Sequence, residues 1–224
     1  MLPELCIGLA ILGITAYAVL GSADFGAGFW DLTAGGAKRG GAVRGMVHHS
    51  MSPVWEANYV WLIFVLVLLW TCFPVAFASV FSTLSIPLFL AALGIIFRGA
   101  AFVMRGQAAT LNEARGLGAL FALASVLIPF CLGAAIGGVA SGRVEVGNAA
   151  GDMWSSWLNP TSVLIGVVGV LTGAYLAAVY MAGDSQRAGL DDLVRAFRAR
   201  ARKARTRSGC PARRESPARN TAAR

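Results

Sequence analysis

Three ionisable side chains stand inside stretches of this chain that are otherwise apolar: Asp24, Glu56 and Arg98. A charge in hydrocarbon is costly, so a residue of this kind is expected to pair, bind or move charge. Two acids can pass protons between water and a buried site. An acid and an arginine can instead neutralise each other and hold two helices in register. Asp24 lies in Gly21-Ser22-Ala23-Asp24-Phe25-Gly26-Ala27-Gly28-Phe29-Trp30, which closes the first apolar run. Glu56 lies in Ser52-Pro53-Val54-Trp55-Glu56-Ala57-Asn58-Tyr59-Val60-Trp61, which opens the second, and Arg98 falls in the third.

The elements that must position these groups are membrane helices. Hydrophobic residues make up 57% of the 224 and charged residues only 13%, a balance that excludes an ordinary soluble domain. A bilayer core takes about 20 apolar residues per helix. Five stretches meet that length: 5–30, 55–80, 82–104, 116–140 and 158–182. The fold class expected is therefore all-α, a polytopic bundle of about five spans over residues 1–182. Residues 183–224 form a basic tail, expected to be disordered after about residue 202.

Charge asymmetry orients the bundle. The tail carries twelve Lys/Arg against four Asp/Glu, whereas residues 1–182 carry seven of each, which leaves no nucleic-acid surface in the body. Lys38, Arg39 and Arg44 mark one connection and Arg105 and Arg115 another, while the turn near 80–82 has no basic residue. Positive charge stays in the cytoplasm, so the expectation is a multi-pass membrane protein with its N-terminus outside and its tail inside, touching anionic lipid. The tryptophans, including Trp55 and Trp61, fall mostly near span boundaries, where an indole suits the headgroup level. Ala18, Ser22 and Gly26 form a stripe that lets another helix come close.

Depth refines the roles. Asp24 and Arg98 lie about 10 Å inside the same boundary at 1.5 Å per helical residue, so they could pair. Glu56 sits in a first helical turn behind Ser52-Pro53, where the helix dipole favours an acid, and nearer cytoplasmic water. Glu56 is either a proton-exchanging group or an ordinary helix-terminal glutamate. His48 and His49 lie outside every span, so no pair of intramembrane imidazoles is present to hold a haem, and no metal site is expected. Cys6, Cys72, Cys131 and Cys210 show no metal or redox spacing and read as small hydrophobes.

Taken together, the edge motifs resemble subunit II of the cytochrome bd-type quinol oxidases. The resemblance rests on Asp24-Phe25-Gly26-Ala27-Gly28, on Ser50 and Pro53 followed by Trp55, Glu56, Asn58, Val60, Trp61 and Leu62, on Phe97-Arg98 with Arg105, and on Asn159-Pro160. It implies a subunit, not catalytic alone, of a respiratory terminal oxidase that sits in the prokaryotic inner membrane and passes electrons from quinol to dioxygen. It also implies haem b and haem d groups in the partner subunit I, a quinol or quinone as substrate of the complex, and a possible small accessory subunit. Glu56, with Asp24, falls where the family has a cytoplasmic proton path; Arg98, Trp55, Asn58 and Trp61 are ion-pair or structural positions. Family members run to eight or nine spans, so the expectation here is a truncated or half-length product. Two other readings stay open: a small transporter using Asp24, Glu56 and Arg98, and a non-functional fragment.

Overall fold

The computed structural model describes residues 2–35, 37–51 and 55–207, with the side chains of 37–39, 48–49, 51, 55–57 and 205–207 set aside. Eight helices follow one another: α1 (Leu2–Leu32), α2 (Ala37–Met51), α3 (Trp55–Cys72), α4 (Pro74–Thr83), α5 (Ser85–Arg105), α6 (Leu111–Ala140), α7 (Pro160–Arg187) and α8 (Asp191–Arg207). No strand occurs among the described residues. Helices α1, α5, α6 and α7 are each long and apolar enough to cross a membrane, and α3 with α4 makes a fifth span if that bent pair counts as one. This is a multi-pass membrane protein.

The second expected span, 55–80, is not one helix. It breaks after Cys72, and α3 and α4 are bent by 119°. Pro74 causes the break, since it has no N–H to donate and its ring excludes a helical carbonyl four residues back. Phe73, just before it, leaves the helical region at φ −135°, ψ 60°. The first basic connection and the tail are also partly helical. Residues 37–51 form α2, and α8 runs to Arg207, past residue 202 where order was expected to end. A buried face explains α8: Val194, Phe197 and Ala204 are covered, and Asp191 and Asp192 sit at its start, where the dipole favours acids.

Chain direction sorts the bundle into two ends. The C-termini of α1, α5 and α7 lie with α2 and α8 at one, called here the basic end. There Trp30, Val43, Met46, Val47, Met181 and Phe197 share one apolar cluster, the Trp30 indole Nε1 donates to the Ala174 carbonyl at 2.7 Å, and Arg200 lies over the Trp30 ring. At the opposite end, the 141–159 connection covers α4. Gly147 and Ala149 donate their N–H groups to Ser79 and Ser82, and Asn159 caps α7 by accepting from the Ser162 N–H. In the same connection Asp152 accepts from the Trp154 N–H and the Ser155 hydroxyl, which hold its carboxyl below the usual carboxylate range.

Small residues let the spans meet backbone to backbone, with glycine serving where a side chain would not fit. A Cβ on Gly26 of α1 would stand 1.9 Å from the Gly173 carbonyl oxygen of α7. Between α6 and α7, a Cβ on Gly133 would stand 2.9 Å from the Gly166 Cα. Lipid offers no hydrophobic drive between helices, so close packing of this kind is what joins them.

Candidate functional site

Asp24 and Arg98 meet in the interior, 2% and 3% exposed. Asp24 stands two turns from the end of α1, and Arg98 two turns from the end of α5. The contact is bidentate: Arg98 Nη2 donates to Asp24 Oδ1 at 2.7 Å and Nη1 to Oδ2 at 2.8 Å. Nη2 also reaches the Asp24 carbonyl at 3.2 Å, and Nε donates to the Ser125 hydroxyl at 2.9 Å, which in turn donates to the Phe121 carbonyl. The guanidinium is flanked by the rings of Phe25 and Phe121, its carbon 5.1 and 4.7 Å from their centroids. Tyr59 of α3 lies beside the pair. Every guanidinium nitrogen thus has an acceptor, which is the condition under which a buried ion pair is tolerated.

The bond spans a gap between helices. Helices α1 and α5 scarcely touch through their backbones, whereas α6 packs on both. Arg98 passes Ser125 of α6 to reach Asp24, and Gly28 of α1 leaves space against the same serine. One heptad nearer the basic end the arrangement repeats. Asp31, 4% exposed, accepts from Arg105 Nη1 at 2.8 Å, and a Cβ on Gly118 of α6 would lie 3.5 Å from the Arg105 guanidinium carbon. Residues 24 and 31, 98 and 105, and 118 and 125 are each seven apart, so three helices present two matched rungs about 10.5 Å apart along their axes.

The lower rung has a third member. Arg44 of α2 donates from Nε to Asp31 Oδ1 at 3.0 Å and from Nη2 to the Gly35 carbonyl at 2.6 Å. Asp31 therefore pins α2 to α1 and α5. Asp31 is not among the residues that the sequence analysis singles out. The signal available was its heptad offset from Asp24, matched by that of Arg105 from Arg98. Replacing Asp31 with Asn is expected to leave two arginines facing each other, at a cost of about 1.5–3 kcal/mol. Faster protease cleavage within 32–51 would report the loosened α2, and an unchanged rate would show that α2 is held by its apolar contacts alone.

The other candidates fall on the first turns of α3. Asn58 is 3% exposed, and its Nδ2 donates to the Leu20 carbonyl of α1 at 3.3 Å, one turn before Asp24. Trp61 is partly buried and meets Phe64 edge to face. Trp55 and Glu56 begin α3, but their side chains lie outside the described residues. By backbone position Glu56 precedes Tyr59 by three residues, one turn nearer the basic end. No group of His, Cys, Asp and Glu that could hold a metal occurs among the described residues. His48 and His49 belong to α2, and their side chains too lie outside that description.

The upper rung can clamp helices, but it is poorly suited to exchanging protons while both carboxylate oxygens are occupied. A family model described as cytochrome bd terminal oxidase subunit II matches residues 2–207. No curated protein matches the chain.

Proposed function

The chain belongs to the cytochrome bd terminal oxidase subunit II family, and on that premise we propose that it braces the haem-bearing subunit I and admits protons from the cytoplasm through Glu56. The family's complex is a quinol oxidase, an oxidoreductase that contains haem, uses quinol and includes a subunit I. The match over nearly the whole of the helical bundle is the observation that carries the assignment.

The five spans contain no histidine, so they do not fit a haem held between two imidazoles. The haems are accordingly assigned to subunit I. The contribution of this chain's own residues is positional and protonic. Asp24, Arg98 and Ser125 lock α1, α5 and α6 at one depth; Asp31, Arg105 and Arg44 lock the same bundle at its mouth. Asn58 fixes the start of α3 against α1. This holds the first turn of α3, with Glu56, at the basic end.

Dioxygen reduction consumes protons, so an acid at the mouth of a bundle has a task that a saturated ion pair does not. Asp24 is assigned to the clamp and Glu56 to proton loading. The Lys/Arg asymmetry supports placing the basic end in the cytoplasm. Cysteines introduced at exposed Ala42 and Val146 are then expected to label from opposite sides of the membrane, and labelling from one side would reverse this topology.

The test of the proton role uses the intact complex. Glu56→Gln keeps size and removes titration, and is expected to slow oxygen consumption about tenfold or more while leaving haem absorption near normal. Glu56→Asp keeps a proton carrier and is expected to be milder. Unchanged turnover in Glu56→Gln would remove the proton role, whereas loss of haem in both variants would make Glu56 a support of the subunit interface.

A further inference from the structure

Helices α1 and α3 run antiparallel in a register fixed by two contacts. The Asn58 side chain bonds the Leu20 carbonyl at 3.3 Å, and a Cβ on Gly13 would meet Val65 Cγ2 at 2.7 Å. Leu20 and Gly13 are seven residues apart on α1, and Asn58 and Val65 are seven apart on α3. One further heptad along the same two stripes brings Cys6 opposite Cys72. Both are free thiols in the structure, near enough for their side chains to interact. Cys6 is partly buried and Cys72 exposed, and Cys72 is the last residue of α3 before the Pro74 bend.

We propose that Cys6 and Cys72 form a disulfide that staples the first turns of α1 to the end of α3. Three observations converge on it. The register faces the two residues; glycine at position 13 allows the helices the close approach that a disulfide's short Cα separation requires; and both thiols lie at the end opposite the basic one, which the proposed topology puts outside the cytoplasm, where disulfides persist. The need is also local. From Leu2 to Leu20 of α1 only Ala10 and Gly13 are buried, so little else holds that half of the helix to the bundle.

The chemistry is thiol–disulfide exchange. One cysteine, as thiolate, attacks the disulfide of an extracytoplasmic thiol oxidoreductase to form a mixed disulfide, and the second displaces it. Both S–H bonds break and one S–S bond forms. The electron pair reduces the oxidoreductase's disulfide to a dithiol, which retains the two protons.

The test maps thiols on this chain, recovered from cells that express the oxidase complex and are lysed directly into denaturant containing the blocking reagent. Before reduction only Cys131 and Cys210 are expected to carry the blocking label, and after reduction Cys6 and Cys72 take up a second label. Cys6→Ser should release Cys72 to the first label, and Cys72→Ser should release Cys6. Full blocking of Cys6 and Cys72 at lysis would overturn the proposal, as would a bond that forms only on adding a chemical oxidant. The proposal rests on the orientation given above, so a Val146→Cys variant in a Cys6→Ser/Cys72→Ser background is labelled in intact cells with an impermeant maleimide. Labelling there together with free Cys6 and Cys72 in the wild type rejects the disulfide alone; failure of that labelling rejects the orientation.

Discussion

Replacing Arg98 with Met is expected to abolish accumulation of the assembled complex. The substitution strands the Asp24 carboxylate at 2% exposure, without the two strong bonds at 2.7 and 2.8 Å. Removing one member of a buried pair typically costs about 3–5 kcal/mol, a large part of the 5–15 kcal/mol that holds a typical protein folded. Arg98→Lys is expected to fall between, since an ammonium cannot bridge both carboxylate oxygens and reach Ser125 as well. The informative variant is the double one. Asp24→Leu with Arg98→Met removes both charges and fills the space with apolar atoms, an exchange that is often neutral. Recovery of complex in detergent extracts, with thermal unfolding near that of the wild type, would mark the pair as a clamp. If the double variant accumulates normally but its oxygen consumption is lost, the charges serve the reaction as well as the fold.

The second large effect is expected at Gly26. A Cβ there would lie 1.9 Å from the Gly173 oxygen, 2.3 Å from its carbon and 2.7 Å from the Ala174 nitrogen, all of them backbone atoms of α7. Nothing flexible can give way, so Gly26→Val must separate α1 from α7, and with them the Trp30 bond to Ala174 and the Asp24 rung. Overpacking in a tight core costs about 1–3 kcal/mol, and this contact belongs at the top of that range. The control is Gly116 of α6, which is exposed with open space around it. Gly116→Ala is expected to stabilise by about 0.5–1 kcal/mol, because alanine loses less backbone entropy in a helix. Unfolding temperatures that fall equally in both variants would show that helix conformation, not the α1–α7 contact, sets the response.

The two rungs explain why both effects should be large. Helix association in a membrane depends on close packing and on satisfied polar groups. Here the glycines bring α1, α6 and α7 together, and the arginines reach across α6, Arg98 past Ser125 and Arg105 beside Gly118. Enlarging a small residue and uncapping a charge therefore damage the same arrangement from two sides.

Much of this was legible in the chain. Membrane insertion selects for length and apolarity, both local properties, so four long spans and a fifth segment could be read directly from hydropathy. Helical rise is constant, so Asp24 and Arg98 could be placed at one depth, and the small-residue stripe that includes Ser22 and Gly26 pointed to a close neighbour, which is α7. The family signature was likewise a matter of residue types at short separations, and the match over residues 2–207 shows that family.

What local patterns could not supply is direction around each helix axis and the identity of the neighbour. Hydropathy ran 55–80 together as one span; that the chain breaks at Pro74, and that α4 turns by 119° and lies beneath the 141–159 connection, came only from the fold. Arg44 looked like one more basic loop residue until α2 folded back and set it on Asp31. Four cysteines without motif spacing gave no hint that Cys6 and Cys72 share a level, because that follows only from the α1–α3 register. The sequence by itself determined the membrane class, the spans and the depth of the buried charges, since these depend on composition and on rise per residue. The tertiary structure alone decided which charges pair, because a guanidinium 74 residues away in the chain becomes a partner only when three packed helices bring it within 3 Å.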